Sequence, residues 1–285
     1  LNKHAGLANV SFGQMMSWIE AFAGEQYGMK NWIKAKTIYT AGKGNLMGVG
    51  LIQDVLSRSP KSKIGLMNEA YDVLQEFDEF GNRLQHRKMG LRMNTGALYF
   101  MMSMGEHMIQ SQMGIAMMLE KKFKTSKGEI SLWDAYKVVD GRLELDPEVE
   151  KQWSVEQRAE FTEKLHAVYQ RIHGIYNTKD RNALQQYALG RWAMQFRKWT
   201  RPGFLRRFEG GEKLFYHKDS EFKKADYNER LQSQVEGNYI TSIKFLEALR
   251  KDMFSAQFFT LGKQYRKLEN WQKANLKRAF GEVMA

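Results

Sequence analysis

The sequence predicts a mainly α fold: a multi-helix assembly with a small hairpin-like insertion near 125–147 and a charged excursion near 209–236. Three observations predict it. Apolar residues recur at three- and four-residue spacing through most of the chain, the period of a helix with one buried face. Only 3 prolines stand among 285 residues, so few positions forbid a helix interior. Residues 93–119 (MNTGALYFMMSMGEHMIQSQMGIAMML) hold a single fully charged side chain, Glu106, beside His107. That pattern predicts a central helix over 94–122, apolar nearly all round and packed among other helices.

Two other readings of 93–119 are weaker. As a membrane span it would carry Glu106, His107, Gln110 and Gln112 near its middle, and a central charge costs about 2.5–3.5 kcal/mol on insertion scales. As a metal or cofactor site it would need ligands on one face. Adjacent helical positions point about 100° apart, and there is no Glu-x-x-His spacing. Glu106 and His107 are therefore expected as buried polar residues. A buried carboxylate must be neutralised or paired, which predicts a basic partner for Glu106, with Arg191 one candidate.

Taken in order, residues 11–25 place Met15, Trp18, Ile19 and Phe22 at helical spacing, with Ser11 as the expected cap. A second helix passes through Trp32, Ile33 and Ile38. The glycines of 42–50 match neither the dinucleotide fingerprint nor a P-loop, and read as a link between helices. Ser59-Pro60 ends a short helix, and helical spacing resumes over 62–79 through Ile64, Met67, Ala70, Val73 and Phe77. The acidic run Glu76, Asp78, Glu79 lacks the glycine-bearing loop of a calcium site and reads as a solvated helix end.

Within 125–147, Glu129-Ile130-Ser131-Leu132-Trp133 and Arg142-Leu143-Glu144-Leu145 are expected to form one hairpin, with Asp140-Gly141 as a turn. Ser154 and Gln157 form a capping box that starts a helix over 155–174. His166 and His173, seven apart on it, are too distant to share a metal ion. Later helices are expected at 238–250, 253–266 and 268–283. In the last, Trp271, Leu276, Phe280 and Val283 are expected to pack inward, with Lys273, Lys277 and Arg278 outside. The chain thus divides into an N-terminal helical half (1–124), an insertion or linker (125–153) and a basic C-terminal helical half (154–285). Because it starts at Leu1, it is expected to be a processed product or a portion of a longer polypeptide, and no signal peptide is expected.

The formal net charge is +12 and there are no cysteines. The first favours polyanionic partners; the second excludes disulfides, iron–sulfur clusters and thiol catalysis. Residues 181–208 concentrate the charge: Arg181, Arg191, Arg197, Lys198, Arg201, Arg206 and Arg207, with no acid among them and aromatics interleaved. Leu189, Trp192, Phe196 and Trp199 make one helical stripe, expected as core, and Pro202-Gly203 is expected to stop that helix. The seven cations are candidates for polyanion contact: nucleic-acid phosphates, an anionic bilayer, or an acidic protein surface. No cofactor and no metal site is expected.

Two stretches carry a resemblance. One is Asn94-Thr95-Gly96-Ala97-Leu98-Tyr99-Phe100 followed by Gly105-Glu106-His107-Met108-Ile109-Gln110. The other is Arg171-Ile172-His173-Gly174-Ile175-Tyr176-Asn177 running into Asp180-Arg181, then Tyr187-Ala188-Leu189-Gly190-Arg191 and Phe196-Arg197-Lys198-Trp199. Both resemble segments of the very large proteins packaged in virions of crAss-like bacteriophages alongside the virion RNA polymerase. The similarity covers residues 86–208. It implies a cargo or ejection protein, stored in capsid or tail and delivered into the host with the genome. Its implied partners are portal and tail proteins, copies of itself, DNA, and the host membrane during ejection. The polymerase's clustered aspartates have no counterpart here, so that activity is not carried over.

Three functions follow for comparison. The first is a structural or cargo virion protein. The second is a membrane-active ejection factor using 93–119 and the basic–aromatic segment. The third is an enzyme, for instance a glycan hydrolase with Glu106 as general acid, which would need a second positioned carboxylate that the sequence does not supply. The expectation is a protein that is not an enzyme.

Overall fold

The long helix α4 (Thr95–Glu120) is the axis on which the N-terminal helices pack. The structure is a computed structural model and describes residues 3–43, 62–71, 73, 95–173, 200–209, 236–254 and 260–285. From Ile109 to Leu119 every residue of α4 is buried. A helix apolar nearly all round has no face to give to water, so it must be enclosed on several sides. Helices α1 (Lys3–Ala23) and α2 (Met29–Lys43) supply most of the enclosure.

Helix α1 runs through Ser11, which is therefore an interior residue and not a cap; the apolar periodicity extends upstream through Leu7 and Val10. It ends at Gly24 (φ +73°), whose N–H reaches the carbonyl of Glu20 at 3.0 Å. That turn places Tyr27 back against the helix, its hydroxyl 3.1 Å from Ser17 Oγ. In α2, Ala35 and Tyr39 are buried while Ile33 faces out.

Helix α3 (Lys63–Ala70) starts at Ser62, whose hydroxyl accepts from the Gly65 N–H at 3.1 Å. It stops well short of the expected 79. Tyr71 leaves the helix to join an aromatic cluster, accepting from Trp153 Nε1 at 3.0 Å and meeting the Tyr136 hydroxyl at 3.0 Å. Burial raises the Tyr71 pKa, helped by Tyr136. Phe161 and Trp153 close the cluster edge-to-face. The expected link at 44–50 and acidic run at 76–79 lie outside the described residues.

After α4 come two hairpins where one was expected. Strand β1 (Lys122–Thr125) pairs with β2 (Gly128–Ser131), and β3 (Tyr136–Val139) pairs with β4 (Arg142–Leu145). Between them Ser131 caps a single turn, α5 (Leu132–Ala135), accepting from the Asp134 N–H at 3.1 Å. Each strand pairs with its nearest neighbour in sequence, the closure that orders least chain. Asp140 (φ 50°) and Gly141 (φ 75°) form the expected turn, of the left-handed type that matches strand twist. Lys63 ties α3 to this unit, donating to the carbonyls of Trp133 (2.7 Å) and Tyr136 (2.5 Å).

The short helix α6 (Pro147–Glu150) leads into α7 (Val155–His173). The expected capping box is present: Gln157 N–H to Ser154 Oγ and Ser154 N–H to Gln157 Oε1, both 3.3 Å. Leu165, Val168, Tyr169 and Ile172 form its buried face. Helix α8 (Thr200–Phe208) carries Pro202 in its first turn, where a missing N–H is tolerated, so Pro202 does not stop a helix here. The charged 210–235 lies outside the described residues.

Glu236 and Gly237 return the chain onto α8. Gly237 donates to the Glu209 carbonyl at 2.8 Å, and a Cβ there would sit 2.4 Å from the Arg207 backbone, so only glycine fits. Helices α9 (Asn238–Phe254), α10 (Thr260–Lys267) and α11 (Asn270–Met284) complete the chain. Helix α11 packs on both α1 and α9, joining the two ends of the sequence.

Candidate polyanion-contact surface and internal charge network

Of the seven cations singled out in the sequence, Arg181, Arg191, Arg197 and Lys198 lie outside the described residues, and Arg201 is described only as part of the α8 backbone. The remaining two turn inward. Arg206 is 6% exposed and its Nε donates to Glu282 Oε1 at 3.1 Å; Arg207 Nε donates to Glu282 Oε2 at 2.7 Å. Burial lowers the Arg206 pKa, opposed by the nearby Glu282 charge. Arg206 therefore holds α8 to α11 and is not offered to an outside partner. Arg207 keeps about a third of its side chain in solvent.

The larger departure from the sequence expectation is Arg278. Expected outside, it is 1% exposed. Its Nε donates to Glu20 Oε2 at 2.9 Å and its Nη2 to Glu20 Oε1 at 2.5 Å, a two-pronged contact. A further bond runs to Glu25, and Nη1 donates to Asn275 Oδ1 at 2.9 Å. Burial alone would lower the Arg278 pKa, but Glu20 and Glu25 outweigh it and the pKa is raised. Asn275 extends the network to the Glu236 carbonyl and Thr241 Oγ1, both at 3.1 Å.

Three arginines (Arg206, Arg207, Arg278) thus meet three carboxylates (Glu20, Glu25, Glu282) at the junction of α1, α8 and α11. The formal charges cancel, which is the condition for burying ions at tolerable cost. Glu20, Glu25 and Glu282 thus act as ties between distant segments, while the buried Glu236 is held locally by Thr241 and Lys244.

The polar groups of α4 are also taken up internally. His107 is buried, its Nδ1 3.0 Å from the Tyr39 hydroxyl. Burial raises the Tyr39 pKa, so that hydroxyl stays protonated. Ser111 accepts from Asn68 at 2.8 Å, Gln112 accepts from Gln14 at 2.9 Å, and Tyr169 donates to the Gln110 carbonyl at 2.9 Å. The side chain of Glu106, like Arg191, lies outside the described residues. Among the described residues no cluster of three or more His, Cys, Asp or Glu is placed to hold a metal ion. No described helix is long and apolar enough to cross a membrane.

Exposed cations stand on several of the described elements, and three of them gather on one face of α10. Lys263, Arg266 and Lys267 are exposed and, with Gly262, line a shallow depression on one side of that helix. They do not stand out in the sequence, because only a short helix gathers them into one face; Leu261 and Tyr265 fall on the other. Lys273 on α11 lies 6.0 Å from the Tyr265 ring centroid. A face of this kind can follow a phosphate backbone without reading sequence.

No family model, curated protein or solved structure matches the chain.

Proposed function

We propose that this chain is a structural or cargo protein of a bacteriophage virion, stored beside packaged DNA in capsid or tail and delivered into the host with the genome. The observation that supports it best is how charge is distributed. Buried acids and arginines tie helix to helix, while the exposed cations of α10 (Lys263, Arg266, Lys267) face outward. A protein built this way packs and contacts. The resemblance of residues 86–208 to giant packaged proteins of crAss-like phages supplies the setting.

Mass spectrometry of purified particles tests the reading. Abundant peptides from this chain, continuing into sequence beyond Leu1 and Ala285, are expected. Absence from the particle would overturn it. As a second test, binding to duplex DNA should weaken with salt. Replacing Lys263, Arg266 and Lys267 by glutamate should flatten the logarithmic salt dependence by about one unit for each phosphate no longer neutralised.

A further inference from the structure

Helix α11 is turned inside out. Its inward side consists of Ala274, Asn275, Arg278, Ala279 and Gly281, with Trp271. Phe280 is 58% exposed, Val283 77% and Met284 66%, and Leu276 is half-buried. At about 100° per residue, Leu276, Phe280, Val283 and Met284 share one face with Lys273 and Lys277. Helix α1 widens this face. Phe22, itself exposed, stacks on Trp18 (centroids 5.7 Å apart) and meets Phe280 at 6.3 Å. The result is an aromatic and aliphatic ridge along two helices, with two lysines at one end.

We propose that this ridge docks on an anionic lipid bilayer surface, lying in the headgroup region without spanning it. Three features select that occupant. The lysines and the +12 charge of the chain oppose a second copy of the same face and favour an anionic one. Phe22 and Phe280 meet across the contact between α1 and α11, so the exposed apolar side chains join into one patch over two helices. Bulky apolar side chains beside lysines are what interfacial helices insert while their ammonium groups reach the phosphates.

The inference does not rest on the virion reading. A protein found in particles without lipid affinity, or the converse, separates the two. The experiment is co-sedimentation with phosphatidylcholine vesicles, with and without about one-third phosphatidylglycerol. Binding to the anionic vesicles is expected, weaker in high salt, and little binding to the neutral ones. Phe280→Asp with Val283→Asp should weaken it at least about tenfold, since two inserted side chains are removed. Both residues are mainly outward, so circular dichroism should be unchanged and Tm should fall only slightly, by the loss of the Phe22–Phe280 contact. Lys273→Glu with Lys277→Glu leaves the apolar ridge intact and should also reduce binding, and this pair serves if the first variant folds poorly. Leu246→Asp, an exposed position on α9, should leave binding unaltered.

No binding to anionic vesicles would overturn the proposal, as would binding that both ridge variants leave intact. So would sedimentation equilibrium showing a dimer that Phe280→Asp dissociates, which would assign the ridge to a second copy. Tighter binding of an acidic amphipathic peptide than of vesicles would assign it to a protein partner and overturn the proposal equally.

Discussion

Helices α4 and α11 bury opposite kinds of surface. Helix α4 encloses methionine, isoleucine and leucine on all sides, and neutral hydroxyl, amide and imidazole groups serve its few polar atoms. Helix α11 encloses an arginine and an asparagine and shows phenylalanine and valine to solvent. The difference lies in what waits opposite each helix. Around α4 there are apolar faces and uncharged partners. Opposite α11, Glu20 and Glu25 sit at the end of α1, and carboxylates left buried without a cation would cost more than an exposed phenylalanine. A helix's inward face is set by its partner as much as by its own pattern.

The comparison breaks most visibly at Arg278. Arg278→Leu removes the cation and leaves Glu20 buried, and should destabilise by about 3–5 kcal/mol in urea denaturation. Combining it with Glu20→Gln should recover part of the loss, because the stranded charge goes too. Full additivity of the two changes would show that the pair is not coupled.

In α4 the corresponding weak point is volume. A Cβ at Gly114 would lie 2.7 Å from the Tyr169 hydroxyl, which donates to the Gln110 carbonyl. Gly114→Ala gains about 1 kcal/mol in helix propensity, yet overpacking a tight site costs about 1–3. A net loss of up to about 2 kcal/mol is expected, the excess of crowding over propensity, and a stabilised protein would show that Tyr169 can move aside.

Tyr39→Phe probes the polar side of the same helix. It removes the hydroxyl facing His107 Nδ1 without changing shape, so about 1 kcal/mol should be lost. The His107 ring resonances should shift in the NMR spectrum. An unchanged ring would assign its orientation to Ser111, 3.5 Å away, instead.

These contrasts also show what is legible in the sequence. The mainly helical fold, the central apolar helix, the capping box at Ser154 and the Asp140-Gly141 turn are readable because each is decided within a few residues. The pairing of strands 122–125 with 128–131 is hidden because Lys122, Phe123 and Lys124 look like the charged end of the preceding helix. The orientation of α11 is hidden because its determinant lies 258 positions away. A signal does exist. Glu20 sits one turn after Met16, among Ile19, Ala21 and Ala23, so a lone acid on an apolar face calls for a buried cation. The small residues Ala274, Ala279 and Gly281 around Arg278 mark a close-packed face. Of the polyanion-contact candidates, Arg206 and Arg207 read as outward because local charge density says nothing of where Glu282 falls.

The smallest effect concerns a tie outside both helices. In the turn between β1 and β2, Ser126 donates twice to Glu148 at the start of α6: N–H to Oε2 at 2.6 Å and Oγ–H to Oε1 at 2.5 Å. The Ser126 hydroxyl and N–H hold the Glu148 carboxyl below its ordinary pKa. A depressed acid favours the fold where it is ionised, so the contribution is complete above the ordinary carboxylate pKa near 4.5. It declines as pH falls through the lower folded value. The Ser126 amide proton should therefore shift with a midpoint below those of unpaired glutamates, while the amides of α4 and α11 stay still. Glu148→Gln should abolish that titration and leave Tm nearly unchanged, because the group is fully solvated. A large Tm loss would mean that the hairpin unit bears on the helical core through this contact, and that local and distant ties are not separable as argued for α4 and α11.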